Sequence, residues 1–175
     1  EVMLVASAND AAYVIADAVG GSAEKFVNQM NEKAKELGMS NTTFKNPHGL
    51  DEDGHLVTAE DMAKLACYAM QNETFRQMVL VQQVNWQGVS YEKPLPTTNK
   101  LFSIMPEATG IKTGNSDEAK RTLVGSAQKE SRELIGVILG VPDESIFQSM
   151  KKILDYGFEH TKVVPVIQKD TLETT

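Results

Sequence analysis

Two short strings hold side chains able to do chemistry. Ser7-Ala8-Asn9 sets a hydroxyl and an amide two residues apart, and Lys112-Thr113-Gly114 sets an amine, a hydroxyl and bare backbone in succession on a predicted strand. Serine and lysine together are the parts of acyl-transfer chemistry, where a hydroxyl is activated by a base or by nearby positive charge. Each string also has a plainer account. Ser7 and Asn9 suit a helix start, where their side chains cap free N–H groups, and Lys112 suits a solvated strand. Strings of three letters recur by chance, so neither decides the chemistry alone.

Composition narrows the alternatives. The chain has 175 residues with seventeen basic and twenty-four acidic side chains, a net charge of −7. That length predicts one globular domain, and the acidic balance argues against a nucleic-acid partner. The single cysteine, Cys67, excludes an internal disulfide framework and is expected as core filler. His48, His55 and His160 lie too far apart for a paired metal motif, so no metal or other cofactor is expected. The longest apolar run, Leu134–Val141, has strand length and falls short of the ~18 residues of a membrane span.

The elements that must position these residues follow from periodicity. Ala11, Val14, Ile15, Ala18 and Val19 recur at helical spacing, predicting a buried stripe on one helix or on two joined near Ser7–Asp10. After Gly20-Gly21, Ser22 can cap a second helix with Phe26, Met30, Ala34 and Leu37 on one face, stopped by Gly38. A turn-rich loop from Met39 to Val57 contains Asn46-Pro47-His48-Gly49-Leu50, with His48 expected to hold structure by hydrogen bonding. Thr58-Ala59-Glu60-Asp61 opens a third helix. From Phe75 to Trp86 the pattern predicts strand, followed by a proline-containing loop through Pro94, Pro96 and Pro106. Tyr13, Trp86 and Tyr91 either border a cleft or pack. Thr109–Gly114, Arg121–Ala127 and Glu133–Gly140 predict three strands whose short links favour an antiparallel meander. A last helix spans Ser145 to His160, and Val163–Ile167 resembles the start of another strand. The class expected is α/β, with helices and sheet segregated along the chain.

In order along the chain stand Ser7-Ala8-Asn9-Asp10-Ala11-Ala12, Phe26-Val27-Asn28-Gln29-Met30-Asn31, Lys35-Glu36-Leu37-Gly38-Met39, Asn46-Pro47-His48-Gly49-Leu50, Thr98-Asn99-Lys100-Leu101 and Gly110-Ile111-Lys112-Thr113-Gly114. Together they resemble the D-alanyl-D-alanine carboxypeptidases, low-molecular-weight penicillin-binding proteins of serine peptidase family S11. The resemblance runs from Glu1 to about His160. It departs locally: the family commonly has Gly where Ala8 stands, and often an aromatic residue or His where Asn115 stands. The resemblance implies a β-lactamase/DD-peptidase-like fold, a helical cluster packed on an antiparallel sheet. It also implies a peptidoglycan stem peptide ending in D-Ala-D-Ala as substrate, β-lactams as inhibitors, and an extracytoplasmic location.

By the same resemblance, Ser7 relays protons between the base, the leaving amine and Lys112, and Asn9 offers its amide to the substrate backbone and the catalytic lysine. Lys112 supplies positive charge, Thr113 donates its hydroxyl to the substrate carboxylate, and Gly114 lets the substrate lie along the strand edge. The Asn115 N–H is one oxyanion donor, worth about 2.7–4 kcal/mol in such sites.

The family nucleophile belongs to S-x-x-K, several dozen residues ahead of S-x-N, and six residues precede Ser7 here. The pattern recurs downstream at Ser22–Lys25, Ser90–Lys93, Ser126–Lys129 and Ser149–Lys152. Of these only Ser22 stands at a predicted helix start, where capping explains it. The expectation is therefore a central piece of the catalytic domain, residues 1–161, incomplete at its N-terminus and unable to form an acyl-enzyme without the missing N-terminal segment. Residues 162–175 are expected as a linker or the start of a β-rich domain, ahead of a membrane-anchoring segment. A class A β-lactamase would need E-x-x-x-N as a deacylating motif. Glu24–Asn28 fits the letters but falls on the second helix. A cell-wall scaffold that has lost its nucleophile is the non-enzymatic alternative.

Overall fold

The computed structural model describes residues 1–88 and 92–164. It opens with two helices, α1 (Val2–Val5) and α2 (Asn9–Gly20), separated at Ala6–Ala8. Ser7 sits at that break with φ 59°, in the left-handed region. Neither Ser7 nor Asn9 caps α2, whose N-cap is Ala8 without a side-chain bond. The capping account of that string therefore does not hold.

Gly21, at φ 76°, ends α2, and Ser22 then caps α3 (Ala23–Glu36) by accepting the Lys25 N–H at 3.2 Å. Thr58 caps α4 (Ala59–Ala69) through the Asp61 N–H. The strand expected from Phe75 is instead helix α5 (Glu73–Leu80), capped by Asn72 accepting from the Phe75 N–H. Its apolar residues Phe75, Met78 and Val79 stand at spacings of three and four, the helical period. Strand begins only at β1 (Gln83–Gln87), which pairs antiparallel with β2 (Glu92–Pro96). The expected proline loop is thus partly strand. A two-stranded ribbon leaves each strand one open edge, which accommodates Pro94 and Pro96.

The main sheet is an antiparallel meander in the order β3 (Ala108–Ser116), β4 (Lys120–Lys129), β5 (Arg132–Val141). Helix α6 follows over Ser145–His160, the expected bounds. One sheet face carries α6: Ile146, Phe147, Met150, Leu154 and Phe158 bury against Leu123 and Ala127, with Leu101 and Met105 of the preceding turn. Met150 lies over Gly125 and Gly136, where any Cβ would meet its side chain. The opposite face packs Ala66 of α4, Met70 at its C-cap and Val79 of α5 against Ile111, with Val124 and Ile135 at the margin. The sheet is therefore sandwiched between helical layers, α/β as expected. Strand β3 lies at one edge.

Two burial expectations fail. On α2 the buried residues are Ala12 and Ala16, whereas Val14 and Val19 are 68% and 67% exposed. Helix α2 packs on α1 and α3 and buries its small alanines, which permit close approach, rather than the neighbouring β-branched stripe. Cys67 is exposed rather than core filler, because Ala66 and Met70 face the sheet and turn Cys67 and Tyr68 outward. Of the tail expected as strand, residues 162–164 form no element, and 165–175 fall outside the described residues, as does Tyr91. Trp86 stands exposed on the ribbon.

Candidate active site

The break between α1 and α2 and the middle of β3 meet at one point. There the Lys112 ammonium donates to Ser7 Oγ at 2.7 Å and to its neighbour's carbonyl, Thr113 O, at 2.7 Å. These residues are 105 positions apart in sequence, so the contact is made by the fold alone. The left-handed turn at Ser7 and the edge position of β3 both aim at it. Burial lowers the Lys112 pKa from 10.5 to about 8, with no carboxylate acting to hold it up. A poorly hydrated ammonium is disfavoured, and an incoming anion would restore what burial removes.

Thr113 Oγ1 lies 2.5 Å from Thr98 Oγ1, and the Thr98 backbone N–H donates to Val5 O at 3.1 Å, tying that loop to α1. Gly114 pairs with Thr122 of β4. A Cβ at position 114 would collide with Thr122 Oγ1, so the third residue of the string is glycine for a local steric reason. Ser7, Asn9, Lys112, Thr113, Gly114 and Asn115 all line one cavity of about 710 Å³. The structure thus brings together every residue expected at the site.

The Asn46–Leu50 loop forms the opposite rim. Asn46 is buried and folds the loop around itself: its Oδ1 accepts the Gly49 N–H at 2.7 Å, and its Nδ2 donates to Leu50 O and Glu52 Oε2. His48 Nδ1 accepts the Leu50 N–H at 3.1 Å. In the neutral ring the proton therefore sits on Nε2, which donates to Tyr13 Oη at 3.0 Å. His48 has the hydrogen-bonding role expected of it, and Tyr13 both packs on its ring and fixes α2 to the rim.

Sequence reasoning missed Thr98, Arg121 and Thr122, which also line the cavity. Thr98 lies inside a string singled out by resemblance, but nothing local told that its hydroxyl would reach Thr113. None of the described S-x-x-K serines lines the cavity. Ser22 is occupied as the α3 cap, Ser126 is fully buried 2.8 Å from the Thr109 hydroxyl, and Ser149 lies within α6. Ser90 is outside the described residues. Glu24 and Asn28 border a separate, smaller cavity, which leaves the β-lactamase motif without a partner in the cleft.

The helix–sheet sandwich is the fold of the DD-peptidases. The comparisons place the chain more narrowly. The profile of the family described as D-alanyl-D-alanine carboxypeptidase, peptidase S11, matches residues 1–143, and the chain belongs to that family. It is 37% identical over 169 residues to D-alanyl-D-alanine carboxypeptidase DacF of Bacillus subtilis, covering 95% of this chain and 43% of that protein. To DacC of Escherichia coli it is 34% identical over 174 residues, covering 99% and 43%. The chain thus spans about two fifths of the length of these relatives. Among solved structures, it resembles a D-alanyl-D-alanine carboxypeptidase from Mycobacterium tuberculosis with TM-score 0.82 and 30% identity, covering 91% of this chain and 62% of that one. A variant of a Streptomyces DD-transpeptidase gives TM-score 0.84 at 30% identity, covering 90% and 65%.

Proposed function

We propose that the cavity bounded by Ser7 and Lys112 is the acceptor half of a serine-type D-Ala-D-Ala carboxypeptidase site. Such an enzyme removes the terminal D-Ala from peptidoglycan stem peptides, acts outside the cytoplasm and is acylated by β-lactams. The observation that carries this reading is the Lys112–Ser7 contact at 2.7 Å in a cleft where burial disfavours the lysine charge. A half-buried cation beside a hydroxyl suits recognition of a terminal carboxylate and transfer of a proton.

In this reading a serine nucleophile attacks the carbonyl between the two D-Ala residues. Its proton passes through Ser7 to the nitrogen of the leaving D-Ala as the peptide C–N bond breaks. Water then attacks the ester, and the same relay returns a proton to the serine oxygen. Lys112 and Thr113 hold the substrate carboxylate, Asn9 holds its backbone, and the Asn115 N–H faces the developing oxyanion. Gly114 leaves room for the peptide to align with the edge of β3. None of the described S-x-x-K serines lines the cleft, and Ser90–Lys93 runs into Pro94; both support a nucleophile supplied from outside this chain, without which the chain forms no acyl-enzyme. Residues 1–161 form part of the catalytic domain.

The direct test is release of D-Ala from a synthetic peptide ending in D-Ala-D-Ala by the full-length protein. Ser7→Ala is expected to lower kcat by about a hundredfold or more, the scale of lost acid–base assistance. Unchanged turnover in Ser7→Ala would remove the relay from this serine.

A further inference from the structure

Beyond the cavity, the end of β3 and the Asn46–Leu50 rim are joined by one side chain. The Asp51 carboxylate accepts the Ser116 hydroxyl at 2.5 Å through Oδ1 and the Glu118 N–H at 3.0 Å through Oδ2. Ser116 Oγ in turn accepts the Ala119 N–H at 3.1 Å, closing the β3–β4 turn on the same point. The partners are 65 and 67 positions apart in sequence. These hydrogen bonds, that from Ser116 foremost, hold the Asp51 carboxyl below the ordinary carboxylate range, so it is ionised at neutral pH and accepts strongly.

What Asp51 joins is specific. On one side, Leu50 and Gly49 line the cleft, and Leu50 is bonded through His48 to Tyr13 of α2. On the other, Ser116 directly follows Asn115, whose N–H is the assigned oxyanion donor. From α2 through Tyr13, His48, Leu50, Asp51 and Ser116 to β3, and from Lys112 back to Ser7, the contacts close a ring around the cavity.

We infer that Asp51 is a positioning residue that locks the Asn46–Leu50 rim to the β3 edge at Asn115, fixing both the width of the cleft and the aim of its oxyanion donor. This rests on the carboxypeptidase reading above. Asp51 touches no reacting atom. Its effect passes through the geometry of Asn115, and small misplacements of such a donor cost turnover more than binding.

The experiment uses the full-length protein with two independent readouts. The first is amide hydrogen exchange in wild type, Asp51→Asn and Ser116→Ala. Exchange is expected to accelerate together at the 46–50 rim and at 115–119, with other segments unchanged, and most in Asp51→Asn because it weakens both bonds. The second is steady-state cleavage of a D-Ala-D-Ala peptide, where kcat is expected to fall about tenfold with KM within about threefold. Ser116→Ala, a milder surface change, should show the same split at smaller size. Loosening of one segment without the other, or equal effects on kcat and KM, overturns the positioning role. If wild type does not cleave the peptide, the carboxypeptidase reading fails, and the coupled exchange still decides whether Asp51 joins the two rims.

Discussion

Lys112 is held where its charge is least welcome and most useful. Burial brings its pKa down to about 8 while its ammonium still bonds Ser7 and the Thr113 carbonyl. Two outcomes follow at the scale of this residue. Carboxylate recognition needs the charged form, so kcat/KM for a D-Ala-D-Ala peptide is expected to decline as pH rises through about 8. In Lys112→Arg that alkaline limb should move out of the measurable range, whatever the residual activity, because a guanidinium does not titrate there. Stability moves the other way. The folded pKa lies below the unfolded 10.5, so the penalty of the buried charge is fully present below pH 8 and is relieved between pH 8 and 10.5. Lys112→Met is therefore expected to raise stability at pH 7 by about 1–2 kcal/mol in denaturant unfolding while removing peptide cleavage. A loss of stability would mean that the bonds to Ser7 and Thr113 outweigh the burial.

At the scale of elements, the site depends on how α1, α2 and β3 end and turn. Ser22→Ala should lose the α3 cap, costing about 1 kcal/mol in thermal or chemical unfolding, and leave peptide cleavage intact. Loss of acylation in that variant would reopen Ser22 as the nucleophile. Met150, fully buried over Gly125 and Gly136, ties α6 to the sheet, and Met150→Ala is expected to cost about 2–5 kcal/mol. The elements were legible to unequal degree. The meander and α6 could be read because short polar turns separate β-rich runs and because Ile146, Phe147, Met150, Leu154 and Phe158 keep one helical face, whereas Ile153, expected on that face, is 48% exposed. Helix α5 was not, since Phe75–Val81 is apolar enough to suit a strand and only its Asn72 cap and spacing distinguish it. On α2 two adjacent apolar stripes compete, and only tertiary contact chooses the alanines. Ser7, Asn9, Lys112, Thr113 and Gly114 stand in the two strings and Asn115 follows the second, and their roles come from the family resemblance, whereas Thr98, Thr122 and the partners of Asp51 depend on meetings of distant segments that no local pattern encodes.

For the whole molecule, one cavity gathers a helix break, a sheet edge and a clamped loop, and within it the Lys112 ammonium meets the Ser7 hydroxyl. This chain spans about two fifths of the length of the DacF and DacC relatives, and the proposed function assigns the acylated serine outside this chain. In the proposed function this cleft directs acylation without being its site. Peptide mapping by mass spectrometry, after the full-length protein is exposed to a penicillin, tests it most directly. The predicted result is one penicilloyl adduct on an S-x-x-K serine outside this chain, formed about a hundredfold more slowly in Lys112→Ala. An adduct on Ser7 or Ser22, or an acylation rate indifferent to Lys112, would contradict it.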